Sequence, residues 1–341
     1  MTTQQIQQLI EQGAYPGATG RSKLVQTHIS WVILDEAVAY KIKKPVKFSF
    51  LDFSTLERRQ FFCERELTLN RRLAPQMYVG VCPVYEKAGK YTIDTPNDGE
   101  IADYALRMHR MDENRQMNLL LRQGLVTMTH MKQLAAVMAR FHQEVRLPHP
   151  SFEAESLWED FADIKSISAA AGDLWGEKAM ALIDRTLEEV RLFIDRHANR
   201  LVVRAREGFW VDGHGDLHSR NIFLPDQPVV FDCLEFSDHL RHIDALNEIA
   251  FLCMDLDYHN QSALASTFLN AYLPLMPCLE TREDAAIFHF FKLYRANVRW
   301  KVATLELAQA PAGPQRESWL AEAEQYRRLF QRYGLGGALG R

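Results

Sequence analysis

The sequence lacks the features that mark several function classes. Its five cysteines, Cys63, Cys82, Cys233, Cys253 and Cys278, are scattered, and no two form a Cys-x-x-Cys pair. Such spacing offers neither a zinc site nor a disulfide framework, and it fits a reducing, cytoplasmic setting. No run of about 18 uncharged apolar residues occurs, as a membrane-spanning helix needs. The most apolar window, residues 249–256, is far too short. The N-terminus, MTTQQIQQLIEQGAYPG, has no basic segment followed by an apolar run, so no signal peptide is expected. Positive charge is not in excess: 40 Lys and Arg stand against 44 Asp and Glu, a net charge of −4. That balance gives no basic field to meet nucleic acid or an anionic membrane, and neither partner is expected. Repeats, low-complexity tracts and any signal of oligomeric state are missing as well.

What is present is an ordinary globular composition, 47% hydrophobic and 25% charged over 341 residues. That length can bury the core of one large or two medium domains. Residues 4–12 suit a short helix, and residues 24–45 alternate with Val, Ile, Trp and Tyr, as strands do. Asp35-Glu36 suits the turn of a hairpin over 29–34 and 37–43. Ser54-Thr55-Leu56-Glu57 has the form of a capping box with Ser54 as N-cap, opening a helix that runs to about Leu73. Strands are expected at 78–85, 90–94 and 101–108, so the order to about residue 110 is β-β-α-β-β-β. Beyond that, helices are expected at 130–145, 151–170 and 176–198. Short strands follow over 200–232, including Val202-Val203-Arg204-Ala205, and then helices at 244–258, 261–273, 282–308 and 315–332. The composition shifts near 110–115.

The densest set of reactive side chains is His214-Gly215-Asp216-Leu217-His218-Ser219-Arg220-Asn221. It stands between the apolar runs Phe209-Trp210-Val211 and Ile222-Phe223-Leu224, and Val229-Val230-Phe231 then leads into Asp232. Polar groups set between short strands project from a rigid base. An Asp, an Asn and a second Asp offer oxygen to a hard divalent cation, and Mg²⁺ completes such sites with phosphates and water. In the first half, Ala39, Lys41 and Lys43 share one strand face because strand side chains alternate. Phe62, Glu66, Leu69 and Leu73 fall on one helical stripe. A carboxylate on that apolar stripe needs a cation, and a strand lysine is the natural one. Glu64 falls on the exposed side.

The pattern His-Gly-Asp-Leu-His-x-x-Asn followed by a strand ending in Asp resembles the catalytic core of the aminoglycoside phosphotransferase and protein-kinase-like superfamily of small-molecule kinases. Within it, the chain is similar to a bacterial branch with Asp-x-x-Glu-Phe at the metal strand, here Asp232 to Phe236 with Glu235 inside it. That branch also carries Arg-x-x-Asp and Ala-Phe-Leu-x-Met-Asp-Leu, here Arg241, Asp244 and residues 250–256. The likeness spans about residues 25–300 and is strongest in the second half. It implies an α+β, bilobal protein-kinase-like fold, with a small antiparallel β lobe bearing one helix and a large, mainly helical lobe. Residues 1–110 would form the nucleotide-binding lobe and 111–341 the catalytic and acceptor-binding lobe.

The resemblance also implies roles. Asp216 would orient an acceptor hydroxyl and take its proton, and Asn221 and Asp232 would hold Mg²⁺ against the phosphates of ATP. His214 would be a structural loop residue, His218 would stabilise the loop or edge the site, and Glu235 would support it. Val38-Ala39-Tyr40-Lys41 fits the strand pattern of the phosphate-binding lysine, with Lys43 as the alternative, and Glu66 would hold that lysine. No glycine-rich loop precedes the first strand, so residues 26–30, ending at the Ser30 hydroxyl, would have to cover the phosphates. The strand from Tyr104 to Met108, leading into His109-Arg110-Met111, would form the hinge that meets adenine. Asp-Phe-Gly is absent at the metal strand, which speaks against a regulated activation loop. The implied activity is ATP-dependent phosphorylation of a hydroxyl on a small molecule.

Two other readings compete. A metal-dependent hydrolase would use His214, Asp216, His218 and Asp232 but leave Lys41 and Glu66 unexplained. A pseudoenzyme would bind nucleotide without turnover. Elsewhere, His142 suits a satisfied core histidine, Asp244 a helix N-cap, and Glu248 a brace for the catalytic loop. The acidic residues of 153–163 suit either an exposed helix face or a cationic acceptor.

Overall fold

The computed structural model describes residues 1–19, 22–48, 51–95, 98–148 and 150–335. The chain divides into two compact units. The first holds Met1–Gln123, His214–Asp216 and Arg220–Arg241, and the second holds Gly124–Gly213, Leu217–Ser219 and the chain from His242 onward.

The first unit is built on an antiparallel sheet. Its early elements are α1 (Thr3–Gln12), β1 (Lys23–Gln26), β2 (Ser30–Leu34), β3 (Val38–Lys43) and α2 (Leu56–Asn70). Then come β4 (Tyr78–Lys87), β5 (Lys90–Ile93), β6 (Glu100–His109) and α3 (Met117–Arg122). The strands lie in the order β1-β2-β3-β6-β4-β5. β3 shows why the sheet is buried on both faces. Val38, Tyr40 and Ile42 enter a core with Ile6 and Leu9 of α1 and with Tyr15. The alternate residue Ala39 enters a second core with Met77, Tyr78, Leu106 and Met108. Strand alternation then puts Lys41 and Lys43 on the Ala39 face.

The helix expected after the hairpin forms, with both ends shifted. Thr55, not Ser54, is the N-cap, and its side chain accepts from the Arg58 amide at 3.3 Å. Ser54 is already engaged, since its amide and hydroxyl both donate to the Asp52 carboxylate. The helix ends at Asn70 rather than near Leu73. The Pro75 ring disfavours helical backbone in the residue before it, so the chain turns ahead of Ala74-Pro75.

The second unit is mainly helical. It contains α4 (Met128–Glu144), α5 (Ala154–Ala162), α6 (Ser168–Trp175), α7 (Glu177–Arg204) and the short strand β7 (Trp210–Asp212). The chain then gives β8 (Ile222–Phe223) and β9 (Val229–Val230), which pair with each other in the first unit. It returns through β10 (His242–Asp244), paired with β7, to α8 (Ala245–Tyr258), α9 (Ser262–Tyr272), α10 (Arg282–Gln309) and α11 (Pro314–Leu335). α8 is buried on all sides from Ala245 to Asp257.

Two expectations fail in this unit. A 3-10 turn over Asp163–Ile167 interrupts the helix expected at 151–170. Residues 202–204, expected as strand, continue α7, and a wider turn over Ala205–Phe209 ends it with Gly208 at φ 80°. Tertiary contacts override the β-branched pair there. Fully buried Arg204 bonds Asp244 at 2.7 Å and Asp284 at 2.6 Å, which draws the helix on by a turn. Asp244 also caps α8 through the Leu246 amide at 2.8 Å, as expected. Among the described residues no helix is long and apolar enough to cross a membrane.

Candidate active site

Leaving β7, the chain makes the tight turn that carries Asp216. Gly215 sits at φ 83°, and a Cβ there would lie 3.0 Å from both Leu234 Cδ1 and the Leu240 carbonyl. Only glycine fits that conformation and that space. His214 ties the turn to the strand before Asp232. Its Nε2 donates to the Phe231 carbonyl at 2.8 Å, and its Nδ1 accepts from the Asp216 amide at 3.3 Å. These roles fix a neutral tautomer and occupy both ring nitrogens, so His214 is not free to ligate a metal.

Asn221 Nδ2 donates to the Asp216 carbonyl and to Asp216 Oδ2, each at 3.0 Å. With the amide hydrogens used, Asn221 Oδ1 is the atom left to meet a cation. Asp232 follows β9 with φ 62°, a left-handed conformation that Asp tolerates better than most residues. Its amide donates to Tyr78 Oη at 3.1 Å. Its carboxylate is 44% exposed. His218 and Ser219 belong to the second unit. There His218 packs edge-on against Phe251, and the Ser219 amide donates to Asp255 at 2.8 Å.

The lysine–carboxylate contact expected from the Glu66 stripe is present, in a double form. Lys41 Nζ lies 2.8 Å from Glu66 Oε1 and 2.6 Å from Asp232 Oδ1. Lys43 Nζ lies 2.6 Å from Glu66 Oε2 and also pairs with Glu235. Burial alone would lower the pKa of Lys41. Asp232, Glu66 and Glu235 outweigh it and hold that pKa well above the ordinary value. For Glu66, burial pushes upward, but the two lysines prevail and hold the carboxyl well below its usual range. Glu235 goes the other way: burial raises its pKa, and Lys43 does not fully offset that.

These groups border a cavity of about 530 Å³ within the first unit. Val32, Leu34, Ala39, Met77, Met108, Phe223 and Phe231 give it apolar walls, while Lys41, Asp216 and Asp232 supply charge. Phe223 and Phe231 stack at 4.8 Å. Met108 and Arg110, expected at a hinge, both line it. The Arg110 amide donates to the Ala37 carbonyl at 2.9 Å, and its guanidinium bonds the Asp35 carbonyl and Glu113. The neighbouring Met111 amide has no partner among the described residues. Ser30 is fully buried and does not line the cavity. Thr27 and Ile29 of the same turn do line it, and the Thr27 hydroxyl takes the Ile29 and Ser30 amides.

Sequence reasoning missed two residues that shape the site. Tyr78 holds the Asp232 amide, and burial beside that carboxylate pushes its hydroxyl pKa well up. Nothing in the sequence marks it. Asn70 accepts the Cys233 amide at 2.9 Å and donates to the Glu66 carbonyl at 3.0 Å. A signal existed here, since Asn70 stands four residues after Glu66 on the same buried stripe. In the second unit His142 is a satisfied core histidine, bonded to Tyr272 Oη at 2.6 Å and Glu248 at 3.0 Å. The acidic run is partly neutralised, with Glu155 paired to Arg191 and Asp163 to Lys301.

The donor set suits Mg²⁺ in character. Asp232 presents an accessible carboxylate and Asn221 a free amide oxygen, both hard oxygen ligands. Among the described residues, no group of three or more His, Cys, Asp or Glu side chains could hold a metal alone. Phosphate oxygens and water would therefore complete the shell.

Comparison with known proteins gives a consistent picture. Residues 63–283 match the phosphotransferase enzyme family. An uncharacterized protein of Mycobacterium tuberculosis is 32% identical over 294 residues, which covers 83% of this chain and 55% of the relative. A Mycobacterium bovis protein matches to the same extent. The chain thus spans about half the length of the curated relatives it matches. The crystal structure of choline kinase from Cryptosporidium parvum aligns with a TM-score of 0.53 at 14% identity, over 97% of this chain and 94% of that one. At that identity the likeness speaks for the fold alone, and it is the α+β kinase-like fold expected from the sequence.

Proposed function

The chain belongs to the phosphotransferase enzyme family, and on that premise we propose that it transfers the γ-phosphoryl group of ATP to a hydroxyl of a small molecule. The observation that carries this reading is the junction of Lys41 with Glu66 and Asp232, beside a cavity that Asp216 also lines. Catalysis of phosphoryl transfer is mainly positioning and charge stabilisation, and each of these groups has such a task.

The apolar walls take the base, and the free Met111 amide offers it a hydrogen bond. Lys41, held by Glu66, pairs with phosphate oxygens. Asn221 Oδ1 and the Asp232 carboxylate hold Mg²⁺, which when bound neutralises charge on the phosphates. Asp216 accepts the proton of the acceptor hydroxyl as its oxygen bonds to phosphorus and ADP leaves. Asn221 fixes Asp216 through two hydrogen bonds, and His214 fixes the turn beneath it.

The test is an ATP-consumption screen with Mg²⁺ over sugars, aminoglycosides, amino alcohols and nucleosides. ADP formation that depends on one acceptor class is the expected result. A protein that neither binds ATP nor turns it over with any acceptor contradicts the proposal.

A further inference from the structure

We propose that Lys43 and Glu235 are positioning residues for the phosphate site. This buried pair fixes Glu66 and the turn carrying Asp232 while Lys41 changes partners. The inference rests on the function proposed above and extends it to Lys43, which does not line the cavity, and to Glu235, which lines it and pairs with that lysine. Lys43 is 1% exposed and does not line the cavity, whereas Lys41 does. The two lysines therefore have different tasks although they share a strand face.

The contacts form a closed circuit. Asp232 meets Lys41, Lys41 meets one oxygen of Glu66, Lys43 meets the other, and Lys43 meets Glu235. Lys41 and Lys43 stand two apart on β3, and Asp232 and Glu235 three apart in the loop after β9, so the backbone closes it. When Lys41 turns toward a phosphate and Asp232 toward a metal, their contact with each other opens, and Lys41 shares its charge between Glu66 and the phosphate. Lys43 is then the cation that serves Glu66 without moving, and Glu235 is the charged side chain that ties the Asp232 turn to it. The turn needs an anchor because Asp232 holds a left-handed backbone that persists only where its surroundings impose it. The Cys233 amide on Asn70 and the Arg241 guanidinium on the Leu234 carbonyl clamp the same segment.

Stability alone is a poor reason for this pair. Replacing a buried ion pair with apolar residues of similar size is often neutral or stabilising. Residues that orient a metal ligand from behind, by contrast, change metal affinity or activity by about 10–100-fold when lost.

The experiment follows from that contrast. Binding of a non-hydrolysable ATP analogue is measured by calorimetry with Mg²⁺ and with EDTA, on the full chain and on the double variant Lys43→Met/Glu235→Met. Lys43→Met alone, Lys41→Met and Asp232→Asn serve as companions, and melting is followed for each. The double variant is expected to melt near the parent and to bind the analogue in EDTA with nearly parental affinity. Its Mg²⁺-dependent affinity and its kcat are expected to fall by at least about tenfold. Lys43→Met alone, which leaves Glu235 buried without its cation, should also lower the melting temperature. Parental Mg²⁺-dependent affinity and kcat in the double variant would overturn the proposal. A double variant that fails to fold would assign the pair to stability and overturn it equally. If Lys41→Met and Asp232→Asn leave binding untouched, the nucleotide reading itself fails and this proposal with it. If they weaken binding while the double variant does not, only the positioning role falls.

Discussion

Glu66 is the residue on which most of the site's charge balance turns, since buried Lys43 and partly buried Lys41 each take one of its oxygens. Removing one member of a buried ionic group leaves uncompensated charge and costs about 3–5 kcal/mol. Glu66→Leu is therefore expected to lower the free energy of unfolding in urea by that order, and Glu66→Gln by less. An unchanged denaturation midpoint in Glu66→Leu would contradict the assigned pairing. The stripe Phe62, Glu66, Leu69, Leu73 makes this residue legible in the sequence, because a carboxylate in an apolar row requires a cation. Its second lysine was not legible. Residues two apart on a strand share a face, and which of them meets the cavity depends on the neighbouring strand and helix.

At the scale of elements, two turns support predictions. In the turn between β2 and β3, Asp35 accepts from the Thr19 hydroxyl and amide, the Ser22 hydroxyl and the Glu36 amide. Burial alone would raise its pKa, but these bonds prevail and lower it from 3.8 to about 2. A carboxylate depressed in the folded state adds stability above its unfolded pKa and loses it as pH falls through the folded value. The Asp35 contribution should therefore be complete at neutral pH and vanish between about pH 4 and pH 2. Asp35→Asn should flatten the acid limb of a stability-against-pH curve, and an acid limb identical to the parent's would contradict this. In the turn before Asp216, Gly215→Ala forces a side chain into left-handed backbone 3.0 Å from Leu234 and the Leu240 carbonyl. A loss of about 1–3 kcal/mol in stability is expected, with a larger proportional fall in kcat than in ATP affinity. The hairpin at Asp35-Glu36 was readable from alternation and turn chemistry. The end of α7 was not, because Val202 and Val203 signal strand while the ion pairs of Arg204 with Asp244 and Asp284 keep the helix going. The cap of α2 moved by one residue because Asp52, outside the four-residue motif, occupies Ser54.

On the scale of the whole chain, the family match begins at Cys63, so β3 and its two lysines lie outside it. Their place in the account rests on geometry: strands distant in sequence bring Lys41 to Asp232, 191 residues away. The candidate motif stood out in the sequence because loop, strand and acid follow one another within nineteen residues, from His214 to Asp232. The free Met111 amide was not, since the Ala37 carbonyl that occupies the Arg110 amide lies on a different strand connection. Chelation should expose the metal's part in the whole reaction: excess EDTA is expected to stop turnover and added Mg²⁺ to restore it, read as ADP release. The most direct test of the central claim compares Asp216→Asn with the parent, measuring ATP binding and acceptor-dependent turnover on the same preparations. The account predicts ATP affinity within about threefold and a kcat lower by about 10²–10⁴, the usual contribution of a positioned base. Turnover by Asp216→Asn equal to that of the parent would contradict it.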